Sequence, residues 1–189
     1  MKESIDRLAE FSLFPIALPI SVSEIISAAV TAGVAAGYYE RARDLERRLL
    51  RGLCNIENIP GRWGKRVDIE IDLGSPVTFG AYSYITDAVY LAGGKNIFGS
   101  VAQEWLVPDI ESVRELDPDV IIYEPKMFKS AGRDKQSIIK MLDKRGLGEL
   151  RAVREGQLFV TPGTNDFFAH HGPAFMIEVL PWLKGVLSF

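Results

Sequence analysis

Residues 104–123 read Glu-Trp-Leu-Val-Pro-Asp-Ile-Glu-Ser-Val-Arg-Glu-Leu-Asp-Pro-Asp-Val-Ile-Ile-Tyr. Trp105 is a large aromatic set on a loop. Asp109 suits a helix N-cap, and Glu111 falls in the first turn, where a carboxylate complements the helix dipole. Asp117-Pro118-Asp119 stops that helix. Val120-Ile121-Ile122 is an apolar, β-branched run that suits a buried parallel strand. The stretch predicts an aromatic and an acidic helix start delivered to one edge of an α/β sheet, the kind of edge at which open α/β sheets bind ligands.

Downstream, residues 124–132 form a loop and 134–144 an amphipathic helix with Ile138, Ile139, Met141 and Leu142 inward. Gly146 and Gly148 break it. A short turn or helix at 150–153 and a strand at 157–161 follow. A long loop, 162–172, leads to a closing helix over 173–186 that kinks at Pro181.

Upstream, residues 66–73 alternate, with Val67, Ile69, Ile71 and Leu73 on one face of a strand. Gly74-Ser75-Pro76 turns the chain into a loop over 78–84. The next helix runs from about Ser83 to Ala92, capped by Ser83 or Thr78 and ended at Gly93-Gly94. Ile97-Phe98 is a short extended piece. Lys2 to Phe11 reads as a short helix, and Pro15 to Ile20 as a short strand. From Ile25 to Leu53 the apolar spacing predicts one helix of roughly 30 residues, about 45 Å long. Its charged half reads as a solvated face, with Asp44 placed to pair with Arg47 or Arg48. A polar loop over 55–65 carries Trp63. Strands alternating with helices predict a three-layer α/β lobe, with a mostly parallel central sheet flanked by helices and one long helix before it.

The 189 residues suffice for one domain, or one domain plus a connecting element, and 47% hydrophobic content supports a packed core. A formal net charge of -3 and a pI near 5.5 argue against nucleic-acid binding. One cysteine, Cys54, excludes an internal disulfide framework and a CxxC motif. The first residues carry charges where a secretory signal needs an apolar core. The longest uncharged run, residues 25–39, is too short to span a bilayer.

The catalytic vocabulary is sparse. The sequence has no Walker loop, no Rossmann glycine fingerprint after a strand, no GxSxG elbow and no HExxH motif. Asp166, His170 and His171 are the clustered metal-capable or acid/base set. Metal ligation, general-base work, or polar lining and helix capping all remain open for them. Adjacent histidines on a loop cannot easily face one ligand together. The aromatics say more. Phe79, Tyr82 and Tyr84 follow one strand, Trp105 precedes a helix, and Phe167 and Phe168 follow another strand. Rings collected at one edge are costly to leave wet unless something covers them.

Three features resemble the substrate-binding proteins of ABC importers for iron-siderophores, haem and cobalamin, the helix-backbone class. Residues 14–53 resemble the end of that family's first lobe followed by its single inter-lobe helix. Gly80 through Leu91-Ala-Gly-Gly-Lys-Asn96-Ile resembles its loop–helix–Gly-Gly-x-Asn segment. Residues 105–122, and Leu150-Arg-Ala-Val-Arg-Glu-Gly-Gln-Leu-Phe-Val, resemble two further segments.

The resemblance implies a division into a first-lobe remnant (1–20), a long inter-lobe helix (21–54) and a C-terminal ligand-binding lobe (55–189). It implies a non-enzymatic protein, without cofactor or resident metal, that binds an iron chelate (siderophore or haem) or a corrinoid between two lobes. Tyr82, Trp105, Asp166, Phe167, Phe168 and His170 would face the ligand. Glu111 would dock into an arginine pocket on the permease. The missing first lobe would be a partner of this chain, and would carry the signal or lipid anchor of an extracytoplasmic protein. A metal-cluster or chelatase-like lobe using Asp166 and His170 is the alternative, and an interaction module built on the long helix a third.

Overall fold

The computed structural model describes residues 16–56, 64–125, 134–162 and 166–188. The helix expected at 2–11 and Trp63 lie outside them. The described chain begins with residues 16–20, which are irregular and pair with no described strand, so the strand expected at 15–20 does not form over 16–20.

The single long helix is two. Helix α1 spans Val22–Ala35 and α2 spans Tyr39–Ile56. Between them Gly37 sits at φ +80°, a conformation that ends a helix at little cost only for a residue without Cβ. The Tyr38 N–H donates to the Gly33 carbonyl and closes the turn. The two helices pack on each other, and a Cβ on Gly33 would lie 2.8 Å from that of Ala42. The hairpin buries Ile25 and Ile26 together with Leu49 and Ile56. No described helix is long and apolar enough to cross a membrane.

Strand β1 (Lys65–Asp72) is central. A tight turn leads to β2 (Pro76–Phe79), which runs antiparallel to it in register Ile71↔Val77. Helix α3 (Tyr84–Leu91) follows, capped by Ser83, whose hydroxyl accepts from the Ile85 N–H. Gly93, at φ +91°, ends it as expected. Strand β3 (Gly94–Asn96) pairs parallel with the start of β1, and β4 (Trp105–Leu106) pairs antiparallel with β2. Helix α4 (Ile110–Leu116) is capped by Asp109 through the Ser112 N–H. Asp117, at φ +37°, ends it and feeds β5 (Val120–Glu124), parallel to β1. Helix α5 (Lys135–Lys144), the short α6 (Arg151–Arg154) and β6 (Leu158–Val160) complete the sheet, in the order β4-β2-β1-β5-β6.

The segments expected as loops at Thr78-Phe79 and Trp105-Leu106 are thus short edge strands. Their antiparallel pairing leaves the sheet mixed rather than purely parallel. The last helix contains a π turn at Phe175–Val179 before α7 (Leu180–Leu187). Pro181 has no N–H to return to Ile177, and the wider turn absorbs the missing bond.

Two cores flank the sheet. On one face Val67, Ile69 and Ile71 of β1 and Val120 and Ile122 of β5 meet α1, α2, α3 and the last helix. On the other, Ile121 and Tyr123 of β5 meet α4, α5 and α6 through Val113, Ile138, Leu142 and Ala152. This is the expected three-layer α/β lobe. On that second face β1 contributes not apolar residues but Asp68, Glu70 and Asp72, all buried. Arg145, just past α5, grips Glu70 with both guanidinium nitrogens, at 2.5 and 2.8 Å. Asp68 finds no hydrogen-bond partner among the described residues, and burial, reinforced by Glu70, pushes its carboxyl well above the usual carboxylate range.

Candidate functional site

The site gathers where the apolar face meets the carboxyl end of β5, and along the neighbouring β2–β4 edge. β2 ends at Phe79, and the chain leaves the sheet through Gly80-Ala81-Tyr82. Three backbone bonds tie this turn to the segment before Trp105: Gly80 N–H to Glu104 O at 3.1 Å, Ala81 N–H to Val101 O at 2.7 Å, and Tyr82 N–H to Gln103 O at 3.0 Å. Asn96 secures the turn from below. Its amide nitrogen donates to the Phe79 carbonyl and the Thr86 hydroxyl, each at 2.7 Å, while its oxygen accepts from the Phe98 N–H. Phe79 and Trp105 are direct cross-strand neighbours. Tyr82 is 53% exposed and Trp105 57%, so both rings stand proud of a hydrogen-bonded frame.

A second group lies beside them. Tyr84, the first residue of α3, is buried, and its hydroxyl donates to the Phe168 carbonyl at 2.5 Å. The Phe168 N–H donates to Oε2 of Glu124, the last residue of β5, at 2.9 Å. Glu124 is itself buried, and its Oε1 has no partner. Burial raises its pKa to about 7, aided by nearby Asp166 and opposed by the N–H groups of Phe168 and Phe167. Burial and the carboxylates of Glu124 and Glu104 push the Tyr84 phenol upward too. His171 lies on the Tyr84 ring at 4.7 Å between centroids.

The structure separates the expected ligand-facing residues. Tyr82 and Trp105 are on the exposed rim. Asp166 is partly buried at φ +59°, with Oδ1 unpartnered. Phe167 is partly buried and packs edge-on against Trp182 at 5.2 Å. Phe168 is the correction: it is fully buried in the apolar core, and what it shows to its neighbours is backbone. Both rings of the Phe167-Phe168 pair reach Trp182, and Phe168 is the deeper of the two. His170 and His171 are both exposed. Among the described residues no three His, Cys, Asp or Glu side chains come together as a metal site.

Glu111 stands apart, 71% exposed in the first turn of α4, and accepts from Arg114 at 2.5 Å. Sequence reasoning missed Glu124 and the structural role of Tyr84. The available signal for Glu124 was a carboxylate closing an otherwise apolar strand.

A family model described as periplasmic binding protein matches residues 63–164. No curated protein sequence matches the chain. Among solved structures, an ABC-type Fe3+-hydroxamate transport system from Saccharomonospora viridis superposes with TM-score 0.73 at 18% identity, covering 89% of this chain and 57% of that one. A periplasmic heme-binding protein from Roseiflexus sp. RS-1 gives TM-score 0.73 at 16% identity, covering 98% and 71%. A periplasmic vitamin B12-binding protein of Vibrio cholerae gives TM-score 0.66 at 16% identity, covering 100% and 70%. The chain therefore spans 57–71% of the length of these proteins and shares their fold. With the family model matching more than half its residues, the chain belongs to the periplasmic binding protein family.

Proposed function

We propose that this chain is a ligand-gripping lobe of the substrate-binding component of an ABC importer, working outside the cytoplasm. Its cargo is an iron chelate (siderophore or haem) or a corrinoid. Capture by lobe closure needs no bond making or breaking, which suits a site whose polar groups hold loops. The observation that carries the reading is the pair of half-exposed rings, Tyr82 and Trp105, held on a frame of backbone hydrogen bonds. Large planar or chelated ligands are met by such rings on apolar faces. The solved neighbours that name hydroxamate-bound iron, heme and vitamin B12 support that ligand class.

A second lobe covers the rim from across the cleft, joined through residues 16–20 ahead of the α1–α2 hairpin that stands where one inter-lobe helix was expected. Residues 16–20 and α1 carry apolar surface suited to that lobe: Ile16, Leu18 and Ile20 line a groove of about 610 Å³ with Ala28 and Thr31. Asp166, Phe167 and His170 complete the ligand-facing set, and Glu111 docks on the permease after leaving Arg114 for an arginine of the partner.

The test is titration of the full-length protein with ferric siderophores, hemin and cobalamin. Saturable binding of one of them, weakened by Trp105→Ala, is expected. Binding of none removes the ligand class.

A further inference from the structure

Residues 166–171, beyond β6, are tied to the rest of the fold chiefly through Phe168. Phe168 has both backbone groups gripped by side chains from elsewhere in the fold: its N–H by Glu124 from the end of β5, its carbonyl by Tyr84 from the start of α3. These partners are 44 and 84 residues away in sequence, and both are buried. The Phe168 ring beneath is sealed in the core, 6.3 Å from Trp182 and 5.6 Å from Phe167. Among the described residues of the loop, a bond from the Ala169 N–H to the Asp166 carbonyl and a contact of His171 Nδ1 with the Ala169 carbonyl add local order. The residues on either side of the grip, Asp166, Phe167 and His170, are those assigned to the ligand.

The geometry points to Glu124 and Tyr84 as positioning residues that set the height and angle of the ligand-facing loop by clamping the Phe168 backbone. This inference rests on the ligand-facing role proposed above for that loop. Neither residue touches the cargo; each acts through Phe168. The grip is also unevenly built. Oε1 of Glu124 and Oδ1 of Asp166 are buried acceptors without donors among the described residues, so the clamp holds a carboxyl group more readily than a carboxylate. The titratable groups around Glu124 are Asp166 from the loop and Tyr84 from α3, with Glu104 and His171 against Tyr84 on its other sides. Among the described residues, no lysine or arginine is one of the groups acting on Glu124.

The experiment is amide hydrogen exchange on the whole chain without ligand, corrected for the intrinsic rate. In the unaltered protein, protection of residues 167–171 is expected to fall about tenfold or more between about pH 5.5 and pH 8.5, as Glu124 ionises. Glu124→Gln keeps an acceptor for the Phe168 N–H and should abolish that pH dependence while retaining protection. Glu124→Ala and Tyr84→Phe should each lower protection of 167–171 at every pH, with Ile121 and Ile122 of β5 unchanged. Equal protection of the loop in all four proteins overturns the clamp. So does a loss spread evenly over β1 and β5, which would mark an ordinary core defect. Because no ligand is added, failure of the hemin, siderophore and cobalamin titrations would leave this result standing and would count against the proposed function alone.

Discussion

Gly80→Ala tests whether the aromatic rim is a built frame. The added Cβ would lie 2.6 Å from the Val101 carbonyl oxygen and closer still to that of Gln103. Both are backbone atoms, so neither can swing away as a side chain would. Relief requires separating the 80–82 turn from the 101–104 segment, which three backbone hydrogen bonds join. Overpacking of this kind costs about 1–3 kcal/mol. Each exposed-edge bond that fails adds about 0.5–1.5 kcal/mol. A loss of about 1.5–6 kcal/mol is expected if one or two bonds break. Urea unfolding followed by circular dichroism measures it. Trp105 should report the displacement as well, because its strand begins one residue after the Glu104 carbonyl that Gly80 grips. Its emission should shift, and ligand affinity should fall in step with stability. A Gly80→Ala protein within about 0.5 kcal/mol of the parent, with unaltered emission, would refute the frame.

Four further outcomes follow from the same geometry. Arg145→Met strips the partner from fully buried Glu70 and should cost about 3–5 kcal/mol near neutral pH, with much of it recovered in Glu70→Gln/Arg145→Met; both are read by urea midpoint. Asp68 and Glu124 have folded pKa values raised above their unfolded ones, so the native state holds protons that the unfolded state has released. The stability they contribute is full below the unfolded value and is lost as pH rises through the folded one. For Glu124, from 4.5 to about 7, the loss approaches about 3 kcal/mol, and Glu124→Gln should flatten that part of a stability–pH curve. Glu111→Ala removes an exposed pair with Arg114, so stability should move by less than about 1 kcal/mol and ligand binding should hold, while transport in a reconstituted importer falls. Tyr82→Ala should weaken binding of hemin or cobalamin without changing the unfolding midpoint, which isothermal titration and thermal melts measure separately.

Much of the lobe is written in local signals. Asp109 caps α4 through its own side chain, Asp117 ends it, and the β-branched run that follows can only be a buried strand; each decision uses neighbours within a few residues. Ser83 and Gly93 bracket α3 for the same reason. What escaped depends on distant partners. The apolar period runs unbroken across Ala36–Tyr38, and only Gly37, one glycine in an alanine-rich stretch, marks the reversal. Strands of two and four residues at 105–106 and 76–79 exist because they pair with each other and with β1. The alternation in β1 places Asp68 and Glu70 on what looks like a solvent face; Arg145, 75 residues beyond Glu70, makes that face an interior. Leu73, counted with the inward row, is 42% exposed beyond the end of the strand. Among the site residues, Tyr82 is exposed on the turn where the sequence placed it, whereas Trp105 is exposed on an edge strand rather than the expected loop. The inward fate of Phe168 was not, since it is fixed by Glu124 and Tyr84.

The rim also bounds what one lobe can do. A tyrosine or tryptophan offers about 150–250 Å² in all, so rings a little over half exposed leave about 100 Å² each to be covered. At about 25 cal/mol per Å² the two together contribute about 5 kcal/mol. Association itself costs at least about 4 kcal/mol before any side chain is ordered. The balance is near zero, so on this face alone the rings recognise a ligand without retaining it. Tight retention requires that the opposite face of the ligand lose water too, which a second lobe supplies. Affinity that rises steeply when both surfaces are joined in one protein, and nearly vanishes for this chain alone, is the behaviour this accounting demands. Micromolar or tighter binding of hemin by residues 1–189 in isolation would show that the ligand is enclosed within this lobe, and that the rim is not where it sits.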